Sequence, residues 1–344
     1  MKAIKLLFTI SLISLILSSG AVQLHAQTVT KTDTACYTKE QIDQSEIATF
    51  RDKWLPQEYL PISENLVYLD LGILLLMMMA GIWFVRKNKP AKWLTWLAIF
   101  TLVYLGILRG GCICPMGLTS NMVMGILNPY MISFAGLIMF MAPLIIALFI
   151  GRIFCTAGCP LGAVQHLLYR RKKTLRLPEK VNRYLKIAPI LVLVATIFFA
   201  IKGTLYLACE LDPYKPLFFT GKAWFEQGIA AVAGRPMEPR LLLSFGIFGW
   251  SYLAVTLVAG YWIERPFCRL LCPYSAMLGV ISLVSFRRRT IDRAKCTYCN
   301  ACVKPCPTQA ISISKKQDIQ KVSGYDCIQC NRCSDSCRFG AIKS

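Results

Sequence analysis

The chain has 344 residues, 55% hydrophobic and 17% charged, where a soluble domain carries about 25% charged residues. A mean hydropathy of +0.49 therefore excludes an ordinary soluble protein, and the apolar excess excludes disordered or collagen-like sequence. The net charge of +21 invites a nucleic-acid reading, while 16 cysteines beside two histidines point to sulfur-rich metal chemistry rather than zinc–histidine sites.

In chain order, residues 1–26 read as a secretory signal, with Lys2 and Lys5, an apolar core over 6–17 and small residues up to Ala26. An uncleaved anchor helix is the alternative. The segment 27–65 is polar and is expected outside the cytoplasm. Five apolar runs follow, at 66–85, 93–109, 133–151, 184–201 and 241–263, each near the ~20 residues that cross a ~30 Å hydrocarbon layer. Arg86, Lys87, Lys89 and Lys92 follow the first run. Arg170, Arg171, Lys172, Lys173, Arg176, Lys180, Arg183 and Lys186 follow the third, and Arg287, Arg288 and Arg289 the fifth. These loops are expected in the cytoplasm, because basic residues mark the inner side. Most of the positive charge is then topology signal with some affinity for anionic lipid. No nucleic-acid motif accompanies it, so no nucleic-acid partner is expected. Two shorter apolar pieces, 223–233 and 276–286, read as interfacial helices.

The cysteines fall into three groups. Cys296, Cys299, Cys302 and Cys306, then Cys327, Cys330, Cys333 and Cys337, repeat the spacing of bacterial two-cluster ferredoxins. Three thiolates of each run and the fourth of the other form each ligand set. Cys296, Cys299, Cys302 and Cys337 are thus expected on one [4Fe–4S] cluster, and Cys327, Cys330, Cys333 and Cys306 on the second. Arg338 stands where proline would close the second run. The second group is a duplicated Cys-x3-Cys-Pro, "FCTAGCPLGA" with Cys155 and Cys159 and "FCRLLCPYSA" with Cys268 and Cys272. The two copies also share Arg152/Arg265 and Phe154/Phe267, and each follows a run entering the cytoplasmic side. Two parallel pseudo-repeated halves would bring these four cysteines together as ligands of a further cluster. The third group, Cys112, Cys114 and Cys209 with Cys36, faces outward, where a disulfide and a shared external redox or metal site are both open.

Other residues carry weaker signals. His166 reads as an interfacial histidine or as a proton or quinone ligand. Arg109 reads as a snorkelling span end or an anion holder, Glu210 and Asp212 as loop solvation, and Met77, Met78 and Met79 as packing or lipid-facing material. No dinucleotide-binding or phosphate-loop motif is present.

The duplicated Cys-x3-Cys-Pro followed by a two-cluster module resembles the NosR/NapH-type membrane polyferredoxins over roughly residues 66–344. The resemblance implies a relay between cytoplasmic donors or the quinone pool and an extracytoplasmic reductase or flavoprotein, in the bacterial inner membrane. Roughly forty residues lie between the expected signal and the first run, too few for an external flavin domain of the NosR kind, so the expectation is either a separate flavoprotein subunit in its place or a different route. Alternatives are a metal-handling assembly factor like the CcoG-type proteins and a membrane redox sensor. The expected fold is mainly α: a polytopic membrane domain over 66–286 and a cytoplasmic α+β ferredoxin-like domain over 287–344.

Overall fold

A computed structural model describes residues 64–110, 115–127, 134–169, 184–202 and 246–343 except 316 and 317, with short pieces between 178 and 218. The expected signal segment, the polar segment up to residue 63, the apolar piece 223–233, and Cys36, Cys112, Cys114 and Cys209 lie outside the described residues.

All five apolar runs contain helices. They are α1 (Glu64–Arg86), α2 (Ala91–Thr101, continued as a π-helix over Leu102–Leu108), α4 (Phe134–Ile150), α7 (Ala188–Lys202) and α8 (Gly246–Trp262), with α3 (Pro115–Leu127) between α2 and α4. Two of them, Leu66–Arg86 and Ala91–Leu108, are long and apolar enough to cross a membrane among the described residues. The helices over 134–150, 188–202 and 246–262 are 17, 15 and 17 residues long as described, somewhat short of a ~20-residue span.

These helices leave apolar side chains uncovered. Leu69, Leu76 and Met79 on α1, Phe100 on α2, Leu137, Met141 and Ile145 on α4, Leu191, Val194 and Phe198 on α7, and Val255 and Val258 on α8 are all exposed. These recur at helical spacing as apolar stripes that water would disfavour. Trp83, Trp93, Trp96 and Trp262 are exposed near helix ends, as in an interfacial aromatic belt. The opposite faces bury Leu74, Met78, Leu105 and Leu144 in a core shared with the Cys-x3-Cys-Pro motifs.

Each motif is built the same way. A residue with positive φ stands between the long helix and the motif, Gly151 (92°) directly after α4 and Arg265 (56°) three residues after α8. A one-turn helix then carries the first cysteine, α5 (Phe154–Ala157) or α9 (Pro266–Leu270). The second cysteine, Cys159 or Cys272, is the N-cap of the next helix, and Pro160 or Pro273 opens α6 (Pro160–Leu168) or α10 (Pro273–Leu283). Proline suits this slot because its missing N–H would have no partner in a first turn.

After α10 the chain becomes α+β. β1 (Thr290–Ile291) pairs antiparallel with β4 (Ile342–Lys343), and β2 (Ile311–Ser314) pairs antiparallel with β3 (Ile319–Val322); α11 (Arg332–Asp335) completes the module. Cys302, Ile311 and Ile342 form its small core. Two short ladders and one turn of helix offer little apolar area, so the module depends on what it is docked against and on what its cysteines hold.

Candidate iron–sulfur centres

The two ferredoxin loops repeat a backbone device. Tyr298 and Asn300 flank Cys299 with φ of 57° each, and Gln329 and Asn331 flank Cys330 with φ of 57° and 61°. Left-handed residues alternating with ordinary ones turn successive N–H groups toward one concavity, a nest for an anionic group such as an iron–sulfur cluster. The fourth cysteine of each run is also matched: Ala310 N–H donates to Cys306 Sγ at 3.2 Å and Ala341 N–H to Cys337 Sγ at 3.3 Å.

Thiols from the two runs lie near one another. Cys306, Cys327, Cys330 and Cys333 line one cavity with Ala310, Ile311 and Val322. Burial pushes Cys327 up to about 12 against a hydrogen bond from the Gln329 N–H, and the neighbouring Cys330 and Cys306 push the same way. Cys302 is pushed up to about 11 by burial, with Cys337, Cys296 and Cys299 adding to the rise. Thiols crowded enough to oppose each other's ionisation become ligands only when metal charge sits among them. These donors therefore fit [4Fe–4S] groups. Among the described residues no His, Cys, Asp or Glu trio converges as a single-ion site, and the twelve described cysteines are all free.

The second group comes together from the two motifs. Cys155, Cys159, Cys268 and Cys272 are each 7–8% exposed. Burial pushes Cys268 up to about 11 and also raises Cys272 well above the usual thiol value; Cys155 opposes the ionisation of both, and Cys159 that of Cys272. The motifs exchange arginines. Arg152 of the first half donates to Ser275 Oγ of the second, and Arg265 of the second donates to the Cys155 carbonyl of the first. Gln165 donates to Cys268 Sγ at 3.3 Å and accepts from Phe267 N–H at 3.2 Å. Gly162 leaves room for this exchange: a Cβ there would lie 2.6 Å from the Cys155 carbonyl oxygen and 3.1 Å from Arg265 Nη1. The Nε atoms of Arg152 and Arg265 are buried without a partner. Two orphaned cationic donors beside four thiols fit an anionic group, since a buried guanidinium left unpaired is costly.

The second ferredoxin loop is fastened to both motifs and to the helix ends. Gly324 O accepts from Ser282 (2.7 Å), Tyr325 O from Arg152 (2.6 Å), and Ile328 O from Thr156 (2.5 Å). Lys186 pairs with Asp326 at 2.6 Å, and Gln329 donates to Ile150 O at 2.9 Å. Asn331 donates to Lys89 O at 2.9 Å and Phe84 O at 3.2 Å, and Asp335 accepts from the first N–H of α2 at 2.7 Å. Arg332 Nη1 clasps both Glu264 oxygens at 2.6 and 2.5 Å while its Nη2 lies 2.8 Å from His166 Nδ1. Sequence offered no signal for this network.

Several weaker expectations are corrected. His166 is no surface histidine: it lies among Thr95, Glu264 and Arg332. Burial lowers its pKa, with the Arg332 and Arg265 charges adding and Glu264 opposing. Arg109 neither snorkels nor awaits an anion; it pairs with Asp70 at 2.5 Å, and Tyr104 bonds the same carboxylate at 2.9 Å. Asp212 is 6% exposed, and its carboxylate accepts from Tyr214 N–H at 2.9 Å instead of serving as loop solvation. The expected interfacial helix begins at Pro273. Its Val280, Leu283 and Val284 are exposed, but Ser275, Leu278, Gly279 and Ser282 are buried, with Tyr325 packed over Gly279. Met77 and Met78 are buried and Met79 exposed, which agrees with their reading as packing material.

A 4Fe–4S binding domain family matches residues 132–178 and again 244–291, the two Cys-x3-Cys-Pro segments, and a second 4Fe–4S binding domain family matches 289–312. The chain is 32% identical over 199 residues to the ferredoxin-type protein NapH of Haemophilus influenzae, covering 56% of this chain and 61% of that protein. It is 27% identical over 192 residues to NapH of Escherichia coli, 54% of this chain and 59% of the relative. It is 26% identical over 162 residues to the regulatory protein NosR of Pseudomonas aeruginosa, 46% of this chain and 20% of that longer protein. The chain thus spans about three fifths of the length of the two NapH proteins. No solved structure matches.

Proposed function

We propose that this chain, which is similar to the NapH/NosR-type membrane 4Fe–4S ferredoxin proteins, relays single electrons through three centres. Cys296, Cys299, Cys302 and Cys337 hold one cluster, Cys327, Cys330, Cys333 and Cys306 the second, and Cys155, Cys159, Cys268 and Cys272 a third. When bound, these clusters supply one-electron oxidation and reduction. Arg152 and Arg265, whose Nε donors are buried without a partner, set their positive charge against the Cys268 thiol. Cys299, which is exposed, marks the side open to a soluble partner.

Residues 66–286 form a membrane domain crossing the bacterial inner membrane five times, and residues 287–344 form the ferredoxin domain on the cytoplasmic side, behind a signal segment at 1–26. The cytoplasmic donor or the quinone pool exchanges electrons at one face. An extracytoplasmic flavoprotein or reductase does so at the other, through an outer site at Cys112, Cys114 and Cys209. The observation that carries this reading is the fastening of the second ferredoxin loop onto both buried Cys-x3-Cys-Pro motifs.

Iron counting and EPR on the purified full chain test it. Three clusters are expected, one of them lost in Cys155→Ser and in Cys268→Ser while the ferredoxin pair stays. Two clusters unaffected by either change overturn the inner site. Loss of a further signal in Cys112→Ser alone assigns a centre to the outer face.

A further inference from the structure

The two copies of Cys-x3-Cys-Pro differ at the residue after the first cysteine, Thr156 in one and Arg269 in the other. Both reach the ligand loops of the same ferredoxin centre. Thr156 Oγ1 donates to Ile328 O at 2.5 Å in a buried contact, and Ile328 is bonded directly to Cys327. Arg269 donates to Gln309 at 3.1 Å, three residues after Cys306, and to Asn182 at 2.5 Å. From Cys155 the chain thus runs through Thr156, one short hydrogen bond and Ile328 to Cys327. Only that hydrogen bond interrupts the covalent path. An O–H···O bond of this length lies at the short end of the normal range. In the loop of Cys296, Cys299 and Cys302, by contrast, Cys299 is exposed.

We propose that the Thr156 hydroxyl is the bridge by which electrons pass between the inner four-cysteine site and the Cys306, Cys327, Cys330 and Cys333 site, with the Cys299 side as the entry port. The proposal rests on the reading that the four inner cysteines hold a cluster. With clusters bound at both sites, one electron would pass from the ferredoxin site to the inner site, reducing the second as the first is oxidised, and the reverse direction would use the same route. No bond forms or breaks and no proton moves; a soluble one-electron reductant refills the ferredoxin module. Thr156 touches neither iron site directly in this account and acts as a positioning residue for the route. Arg269 holds the other flank through its hydrogen bonds to Gln309 and Asn182.

The full chain in lipid nanodiscs is compared as parent, Thr156→Val, Thr156→Ser, Arg269→Gln and Cys155→Ser. Iron content and equilibrium EPR come first, and identify the inner signal as the one absent from Cys155→Ser. Each sample is then mixed with reduced methyl viologen and freeze-quenched over time. Thr156→Val should fill the inner signal severalfold more slowly, with its iron content and its ferredoxin signals at parental values. Thr156→Ser, which restores a hydroxyl, should be near parental. Equal filling rates in parent and Thr156→Val, with all three signals present, overturn the bridge. So does equal slowing in Arg269→Gln, which would make docking rather than the hydroxyl decisive, and so does loss of iron in Thr156→Val. Absence of any signal specific to Cys155 overturns the underlying three-centre reading, and is recognised before any kinetics are run.

Discussion

Replacing Glu264 by alanine should release the second ferredoxin loop. Glu264 and Arg332 are 3% and 6% exposed, and the two carboxylate oxygens stand 2.6 and 2.5 Å from one guanidinium nitrogen. Removing one partner of a buried pair costs about 3–5 kcal/mol, because the other is left as an uncompensated charge. Here two guanidiniums lose compensation, since Arg265 also acts on Glu264. Arg332 belongs to α11 within the loop, so the loss falls on loop opening. At 1.4 kcal/mol per tenfold, amide exchange across 325–335 should accelerate by roughly two to three orders of magnitude. Glu264→Gln keeps an acceptor and loses the charge, so about 1.5–3 kcal/mol is expected. The assay is hydrogen exchange by mass spectrometry on the cluster-loaded full chain in nanodiscs. Lys343→Met, which breaks a pair in which Lys343 is 62% exposed, is the control and should leave exchange at the parental rate. If Glu264→Ala keeps exchange over 325–335 within about threefold of the parent, the size of an ordinary surface effect, the docking account is wrong.

Gly162→Ala should disturb the inner site alone, because its Cβ would meet the Cys155 carbonyl at 2.6 Å; an overpacking cost of about 1–3 kcal/mol predicts lost inner-cluster EPR with both ferredoxin signals retained. His166 is neutral in the fold, its pKa lowered from 6.5 chiefly by burial. An unfolded or undocked His166 then binds a proton more readily than the folded one. Its contribution is fully present above about pH 6.5 and is lost as pH falls through the lowered folded value. Loop exchange should therefore rise on acidification below 6.5, and His166→Gln should flatten that part of the profile; an unchanged slope refutes the assignment. Asn331→Ala removes donors to Phe84 O and Lys89 O and should raise exchange at both the α1–α2 turn and the loop, whereas Asn300→Ala, at the equivalent but exposed position, should do neither.

What could be read from the sequence was local. The Cys-x2-Cys-x2-Cys-x3-Cys runs announce themselves because three ligands of one centre come from a single turn, and Cys-x3-Cys-Pro encodes a one-turn helix, an N-cap and a first-turn proline in adjacent letters. The exchange of Arg152 and Arg265 was half visible, since both arginines align in the duplication, yet their targets do not: Ser275 aligns with Gly162, so one half offers a hydroxyl and the other offers space. His166, Glu264 and Arg332 were opaque because they meet across 98 and 68 residues of chain, and only the docked loop brings them together. Asp212 looked like solvation because nothing in its neighbours announces a carboxylate turned back on Tyr214 N–H.

Two duplications follow one another in this chain, one around the Cys-x3-Cys-Pro motifs and one in the ferredoxin module, and each alone would make equivalent sites. Docking breaks both equivalences at one interface. Asn300 and Asn331 occupy the same left-handed slot beside their cysteines, but Asn331 is 1% exposed and bonded to the α1–α2 turn, while Asn300 is open to solvent. Thr156 and Arg269 occupy the same slot after their cysteines and meet opposite flanks of one ferredoxin centre. A carrier whose ferredoxin domain swung freely would need neither difference. Fixing one loop against the buried cysteines and leaving the other exposed gives the module an inner and an outer end. That order is a property of the interface, absent from either repeat taken by itself.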